Sequence, residues 1–447
     1  MRRNIETAST SEKLIFESVT DPEFMRPRFE EQFCRIWGFS NMIAELRIPK
    51  AFPRGKGGFA VQYDIMAKSS PDSDVEKKIF YGRLLGRSEK WPSYTASNSA
   101  NVLVFNDLRL VVPVFPFDSE LKDLPAFCAA NGFPIVLKNS LSKLAPDKTE
   151  YHILSSEVLG YRLERRCVIR YDISLTNTAG TTPERMKAVV KISRPAQKTR
   201  DPKLTCELER HGFDNEAKDG LSVPHIYYKN SQEGITIMEA APGKTLHDLI
   251  GTSEYLSACA AAARILRKLH SLSPISDLLY TAEDEMESLE TILMAACNVF
   301  PAWKSPFDCA EKILKDTSSI VHGCNSVTWV HRDFYDKQVL YAGHRTTLLD
   351  CDNMTISDPA LDYANFLAHL RLRQLQAPDD ADTINTGMKI FIDAYGEKDH
   401  VFESRAGWWE GAALIRLAAL YALRPRWRHL PTHLIENAVN ILQRINS

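Results

Sequence analysis

Four side chains with the same kind of chemistry lie close together between His331 and Asp352. Asp333 follows His331-Arg332, Gln338 opens Gln338-Val339-Leu340, and Asp350 and Asp352 end Leu348-Leu349-Asp350-Cys351-Asp352. The pattern predicts a loop bearing a carboxylate, a short strand, a turn at Ala342 to Arg345, and a second strand ending in a carboxylate. Such a hairpin brings Asp333, Gln338 and Asp350 to one end. Phosphoryl transfer needs this kind of set. One carboxylate orients or deprotonates an acceptor hydroxyl, while a carboxylate and an amide oxygen hold Mg²⁺ against the phosphates. Hard oxygen donors suit Mg²⁺, and no cluster of soft ligands competes. In a strand Asp352 points like Asp350, since side chains repeat every second residue. It either assists the metal or binds nearby backbone N–H groups, and both readings stay open.

The elements that must carry this segment follow from hydropathy patterning. Phe59 to Ile65 and Ile79 to Leu85 read as strands joined by a long polar loop. Leu108 to Phe117, with two prolines, reads as an edge strand, and Leu121 to Asn131 as a short helix. Cys167 to Leu175 and Met186 to Ile192 are expected as strands around a turn-rich loop at Asn177 to Glu184, followed by helix at Leu204 to His211. His225 to Tyr228 and Gly234 to Met238 are a further strand pair. Beyond Pro242-Gly243 the periodicity becomes helical, over Glu254 to Leu272, Ala282 to Ala296, Pro359 to Leu375, Asp382 to Tyr395 and Arg405 to Leu423. The expectation is an α+β protein, β-rich and then helical, with a cleft between the lobes. FAVQYDI at 59–65 also echoes CVIRYDI at 167–173, and an ungapped alignment sets Arg83 opposite Lys191. A duplicated hairpin and a chance match are both open readings of that echo.

The ordered motifs resemble the aminoglycoside phosphotransferase and choline kinase-like superfamily, small-molecule relatives of protein kinases. His331 and Asp333 match His-x-Asp-x-x-x-x-Asn, with Gln338 in place of the Asn. Asp350 matches the later metal aspartate, Asp358-Pro359-Ala360-Leu361-Asp362 the DPxxD element, Leu269-His270 the "LH" that ends a helix, and Met238 to Gly243 the hinge and its glycine. Gln338 keeps the amide oxygen on a longer arm, and its QVL context is similar to a maltokinase-like branch.

The resemblance implies a bilobal protein-kinase-like fold with an extra N-terminal α/β cap. The implied division is 1–145 cap or accessory region, 146–240 N-lobe and 241–447 helical C-lobe. It implies ATP and Mg²⁺ as cosubstrate and cofactor, Asp333 as the catalytic carboxylate, and Gln338 and Asp350 as metal ligands. A small-lobe lysine should meet the nucleotide phosphates. Lys191 fits, inside the apolar run Val189-Val190-Lys191, with Lys187 its competitor. A helix glutamate should hold that lysine; Glu207 lies nearer the inner face than Glu209. Backbone groups of Glu239 to Ala241 should hold adenine. The stretch 154–167 has only Gly160 where a phosphate loop is expected; its Arg162, Arg165 and Arg166 either meet phosphates or form a solvent face. The expected reaction is phosphorylation of a hydroxyl on a sugar, amino sugar or similar metabolite. A pseudokinase-like nucleotide-binding module is the alternative, while a protein kinase is disfavoured by the missing GxGxxG, DFG and APE.

For the acceptor, the acidic run Glu283, Asp284, Glu285, Glu287 and Glu290 either attracts an amine or is a solvated helix face, the latter favoured. Trp408 and Trp409 stack on a sugar or, by preference, fill the core. Composition sets the remaining bounds. The 447 residues carry a net charge of −2, which favours neither nucleic acid nor an anionic membrane as partner. No apolar run suggests a membrane span or secretory signal, and nine cysteines without a CxxC pair suggest neither disulfides nor zinc. A reducing cytoplasm fits that usage, and nothing in the sequence sets the oligomeric state.

Overall fold

The computed structural model describes residues 13–38, 42–54, 57–68, 70, 73–95, 101–128, 134, 137–139, 150–176, 184–194, 207–274, 279–322 and 326–446. Residues 177–183 of the expected loop and 204–206 of the expected helix lie outside these residues; residues 207–210 are helical.

After a helical stretch at 13–19 comes helix α1 (Pro22–Trp37), which Asp21 caps at its start and left-handed Gly38 ends. It packs on an antiparallel sheet of β1 (Ile43–Pro53), β2 (Phe59–Ala67), β3 (Glu76–Leu84), β4 (Val102–Phe105) and β5 (Leu110–Pro113), in the order β1-β2-β3-β5-β4. Phe29, Phe33, Tyr63 and Phe80 centre its core. The predicted edge strand over Leu108 to Phe117 is corrected here. Its strand, β5, lies between β3 and β4, and its proline, Pro113, is the last residue, where the ladder ends.

A short helix α2 (Leu124–Cys128) leads into the second sheet: β6 (Glu150–Arg162), β7 (Arg166–Thr176), β8 (Glu184–Ser193), β10 (Ile226–Asn230) and β11 (Ile235–Glu239), in the order β6-β7-β8-β11-β10. A two-residue strand, β9 (Leu221–Ser222), precedes β10. Strand β7 alternates buried and less buried residues along its length, as a strand with one face on a core must. Leu121, Leu124 and Phe127 pack in this second core.

The two sheets have the same connectivity. Each runs first, second, third, fifth, fourth, with every neighbour antiparallel. The echo falls in equivalent places: Phe59 pairs Leu84 and Ala60 pairs Arg83, as Cys167 pairs Ile192 and Val168 pairs Lys191.

After β11 the chain crosses into β12 (Lys244–Thr245), which pairs with β14 (Val339–Tyr341), then β15 (Thr346–Leu348) and β9. Gly243, at φ 108°, makes the crossing possible, because a Cβ there would sit 2.4 Å from the Tyr341 carbonyl oxygen. A separate ladder joins β13 (Thr328–Val330) to β16 (Thr355–Ser357). Around these lie α3 (Tyr255–His270), α4 (Ala282–Val299), α5 (Lys304–Asp316), α6 (Ala360–Gln376), α7 (Ala381–Tyr395), α8 (His400–Ala422) and α9 (Pro431–Ile445). Helix α4 starts on a reciprocal capping box between Thr281 and Asp284. Helix α8 is buried along most of its length and forms the axis of the lobe. Its Trp408 and Trp409 are core residues, whose indole N–H groups donate to the Leu314 carbonyl and to Asp358. The α+β, bilobal, protein-kinase-like arrangement is thus present, with the cap sheet added before it.

Candidate active site

The loop after β13 presents Asp333, and buried groups fix that loop from behind. Asp362, fully buried, accepts the N–H groups of His331 at 2.5 Å and Arg332 at 2.8 Å. His270, the histidine of the Leu-His pair, lies 3.4 Å from the same carboxylate through Nε2 and 2.8 Å from the Tyr395 hydroxyl through Nδ1. His331 is buried, with Nε2 2.7 Å from the Leu349 carbonyl oxygen, which ties the loop to the strand leading to Asp350. Further along, Asp336 is fully buried and accepts two bonds from Arg373, at 2.7 and 3.1 Å, and lies 2.9 Å from His247 Nδ1. Burial alone would raise the Asp336 pKa; Arg373 and His247 overcome it and hold the carboxyl well below the usual range. Among the described residues, Asp333 has no such partner. Burial pushes its pKa up, with Asp350 adding to the rise against His331 and Arg416, so its carboxylate is the more basic one.

Gln338 and Asp350 leave one end of the β14–β15 hairpin, where the Leu349 N–H donates to the Gln338 carbonyl at 2.8 Å. Two non-glycine residues flank the site in left-handed conformation, Arg332 at φ 65° and Asp350 at φ 56°. Such strain costs about 1–3 kcal/mol per residue and persists only where surrounding bonds over-determine it. Those bonds are visible at Asp350: Lys191 donates to Oδ1 at 2.7 Å and Arg166 to Oδ2 at 2.8 Å. Burial would raise the Asp350 pKa, but Lys191 and Arg166 hold it well below the usual range. Lys191 also bonds Asp352, and the two carboxylates raise its pKa against burial. Lys187, four residues earlier, is exposed.

Glu207 requires a correction. It is not brought to Lys191: its carboxylate bonds Arg210 on the next turn, and both Lys191 carboxylate partners come from the segment after β15. Glu207 and Arg210 lie one turn apart on the described helical residues 207–210. Glu209 is turned to His225, 2.8 Å away. Asp352, open between two roles in the sequence, takes up the lysine. Arg166 is the residue that sequence reasoning undervalued. It stands at the first position of β7, where the hairpin end delivers it to Asp350, and its only sequence signal was the Arg165-Arg166 pair without glycines.

The hinge residues lie where the chain passes between lobes. Glu239 ends β11 and its side chain is held by Arg345 at 2.9 and 3.0 Å, with its backbone N–H donating to His225. Among the described residues, the Ala241 N–H makes no backbone hydrogen bond. In the acidic run, Glu285 is buried against Arg416 and the Tyr280 hydroxyl, while Glu283, Asp284, Glu287 and Glu290 are exposed.

Asp333 opens into a cavity of about 1390 Å³ bounded by the cap sheet, the β6–β7 turn and the helical lobe. Among the described residues no group of three or more His, Cys, Asp or Glu side chains could hold a metal. A divalent ion would therefore need an amide or a ligand's own oxygens, and Gln338 with Asp350 supplies hard donors of that kind. The Gln338 side-chain amide has no hydrogen-bond partner among the described residues.

Residues 173–390 match the model of the phosphotransferase enzyme family, APH. The match spans just under half of the chain. The resemblance read from the ordered motifs is borne out, and with it the enzyme class, a phosphotransferase acting on a small-molecule hydroxyl. Three solved structures are similar. A choline/ethanolamine kinase family protein from Mesorhizobium loti is 11% identical, with a TM-score of 0.42, covering 70% of this chain and 94% of its own. An amicoumacin kinase, solved with AMP-PNP, Ca²⁺ and its ligand, is 16% identical with a TM-score of 0.44, covering 69% and 93%. The aminoglycoside phosphotransferase APH(3'')-Id from Streptomyces rimosus is 13% identical with a TM-score of 0.38, covering 64% and 98%. No curated protein matches the chain. Among the described residues, no helix is long and apolar enough to cross a membrane.

Proposed function

We propose that the protein transfers the γ-phosphoryl group of ATP, with Mg²⁺, to a hydroxyl of a sugar-like small metabolite. The observation that carries this reading is the convergence of Lys191, Arg166 and Asp350 on the end of the hairpin that adjoins the Asp333 loop. Lys191 and Arg166 supply the cations that a triphosphate needs. Asp350 and Gln338 would hold the divalent ion, which neutralises charge on the phosphates. Adenine rests against the backbone of Glu239 to Ala241. Asp333, its pKa raised by burial, orients the acceptor hydroxyl and takes its proton. The acceptor oxygen forms its bond to the γ-phosphorus as the bond to the β–γ bridging oxygen breaks, and ADP leaves. The cytoplasm, with its ATP and reducing potential, is the proposed place of work; the described cysteines are all free thiols.

Purified protein given Mg-ATP and a panel of hydroxyl acceptors should release ADP only when the right acceptor is present. Asp333→Asn should abolish that release while still binding Mg-ATP. Mg-ATP binding without turnover on any acceptor would favour the nucleotide-binding module, and failure to bind Mg-ATP would remove the nucleotide assignment.

A further inference from the structure

The cavity in front of Asp333 has a pronounced charge. Twelve lysine and arginine side chains line it against one carboxylate, that of Asp333. Some are neutralised from behind, as Arg373 is by Asp336 and Arg416 by Glu285. Others, among the described residues, make no ion pair; they include Lys50 on β1, Arg162 and Arg165 at the β6–β7 turn, Lys337 beyond Asp333 and Arg424 after α8, from four separate parts of the fold. Among the described residues, the buried Nε of Arg424 has no hydrogen-bond partner, nor has Nδ1 of His369 in the same wall.

We propose that the acceptor is itself an anion, a polyhydroxyl compound bearing a phosphate or carboxylate group that Lys50, Arg162, Arg165, Lys337 and Arg424 surround while its hydroxyl faces Asp333. This rests on the phosphotransferase reading and deepens it. The cations cannot be assigned to the nucleotide, because Lys191, Asp350 and the hinge residues Glu239 and Ala241 do not line this cavity. Nor are they an ordinary solvated face. Burial and then the neighbouring Arg424, Lys337 and Arg162 push the Lys50 pKa down to about 8. Burial followed by Arg373 pushes that of His369 down to about 3, with Arg416 and Arg424 adding to it. Crowding of this kind disfavours the folded protein and is relieved by a bound anion. A cationic acceptor would meet the opposite sign, since none of the acidic residues of the 283–290 run lines the cavity.

The test is equilibrium binding by calorimetry to the full chain held with AMP-PNP and Mg²⁺, using glucose 6-phosphate, gluconate, glucose, glucosamine and inorganic phosphate as probes. The anionic sugars should bind at least about ten-fold more tightly than glucose, the worth of one charge-assisted hydrogen bond. Tighter binding of glucose 6-phosphate than gluconate identifies the group as phosphate, and the reverse as carboxylate. Lys50→Gln and Arg424→Gln should each weaken the anions about ten-fold and leave glucose unchanged, with melting temperatures at or above that of the parent protein. Equal binding of glucose or glucosamine overturns the proposal, as does loss of anion binding in Lys191→Met, which would seat the anion in the nucleotide's place. Binding needs no turnover, so absence of ADP release would refute the kinase reading separately, and phosphorylation of neutral or amino sugars alone would refute this proposal and leave that reading standing.

Discussion

Replacing Arg373 with Met tests whether the loop carrying Asp333 depends on the buried Asp336–Arg373 pair. Asp336 is fully buried and Arg373 nearly so, joined by bonds of 2.7 and 3.1 Å. Removing one partner of such a pair costs about 3–5 kcal/mol, since the other charge is left uncompensated. The carboxyl can escape by taking a proton. For a group of ordinary pKa near 3.9 that costs about 4 kcal/mol at pH 7, at about 1.36 per pH unit, which sets a ceiling. At pH 5 the ceiling falls to about 1.5 kcal/mol. The signs are opposite in the two proteins. In the parent, the depressed Asp336 pKa contributes stability that is present above the unfolded value and lost as pH falls through the folded one. In the variant the folded pKa is raised, so its stability falls as pH rises from about 4. Thermal and urea unfolding at pH 7 and pH 5 should therefore show a gap of about 3–4 kcal/mol that shrinks to about 1–2. ADP release should fall with it, because the Asp336 carbonyl also accepts the His247 N–H and the loop ends only three residues from Asp333. A gap that is absent, or the same at both pH values, would refute the reasoning.

Lys191→Met should lower kcat/KM by about 10²–10³, the usual effect of removing one preorganised group that meets developing charge; ADP release within about threefold of the parent would exclude the lysine from the phosphates. In the parent enzyme kcat/KM should decline on the acid side as Asp333 takes up a proton, with a midpoint above the ordinary aspartate value because its pKa is raised. A pH–rate profile flat down to pH 4 would exclude Asp333 as the base. Asp362→Asn keeps the shape but removes the charge that holds the His331 and Arg332 N–H groups. It should cost about 1–3 kcal/mol of stability by chemical unfolding. An unchanged midpoint would show that the loop is held by other means.

The carboxylates of the site were legible because their spacing is local. Asp333, Gln338 and Asp350 are separated by one strand and one turn, and hairpin geometry alone delivers them to one end. Lys191 was legible for a related reason, as the one charged residue within an apolar run whose burial demanded a partner. The partner was not legible. A helix face ranks Glu207 over Glu209, but which carboxylate meets the lysine depends on where the segment after β15 turns, and left-handed Asp350 sets that turn. Helices α5 and α9 and strand β6 were not anticipated. Both helices carry regular apolar stripes, Phe307, Ala310 and Leu314 in α5 and Leu434, Ile435, Ala438 and Leu442 in α9, so their signal was present in the sequence; β6 is exposed along most of its length and lacks the alternation that marks a strand. The cavity's charge was the least legible feature. Its cations lie between positions 50 and 424, and only tertiary packing gathers them.

The repeated strand order relates the cap sheet to the β6–β7 turn beside the proposed site. Arg83 stands on the third strand of the cap sheet, at the position that Lys191 takes in the second sheet. There it does not face a hairpin aspartate. It donates at 2.7 Å to Glu164, in the turn between β6 and β7, and Arg54 holds the other oxygen of the same carboxylate. Glu164 is itself left-handed, at φ 57°, and its N–H donates to Asp118 at 2.8 Å. A strained turn pinned from three sides cannot drift. The next residue along, Arg165, faces the cavity, and the one after it, Arg166, reaches Asp350. On the proposed function, the cap fixes the turn from which Arg165 faces the acceptor side and Arg166 the phosphate side.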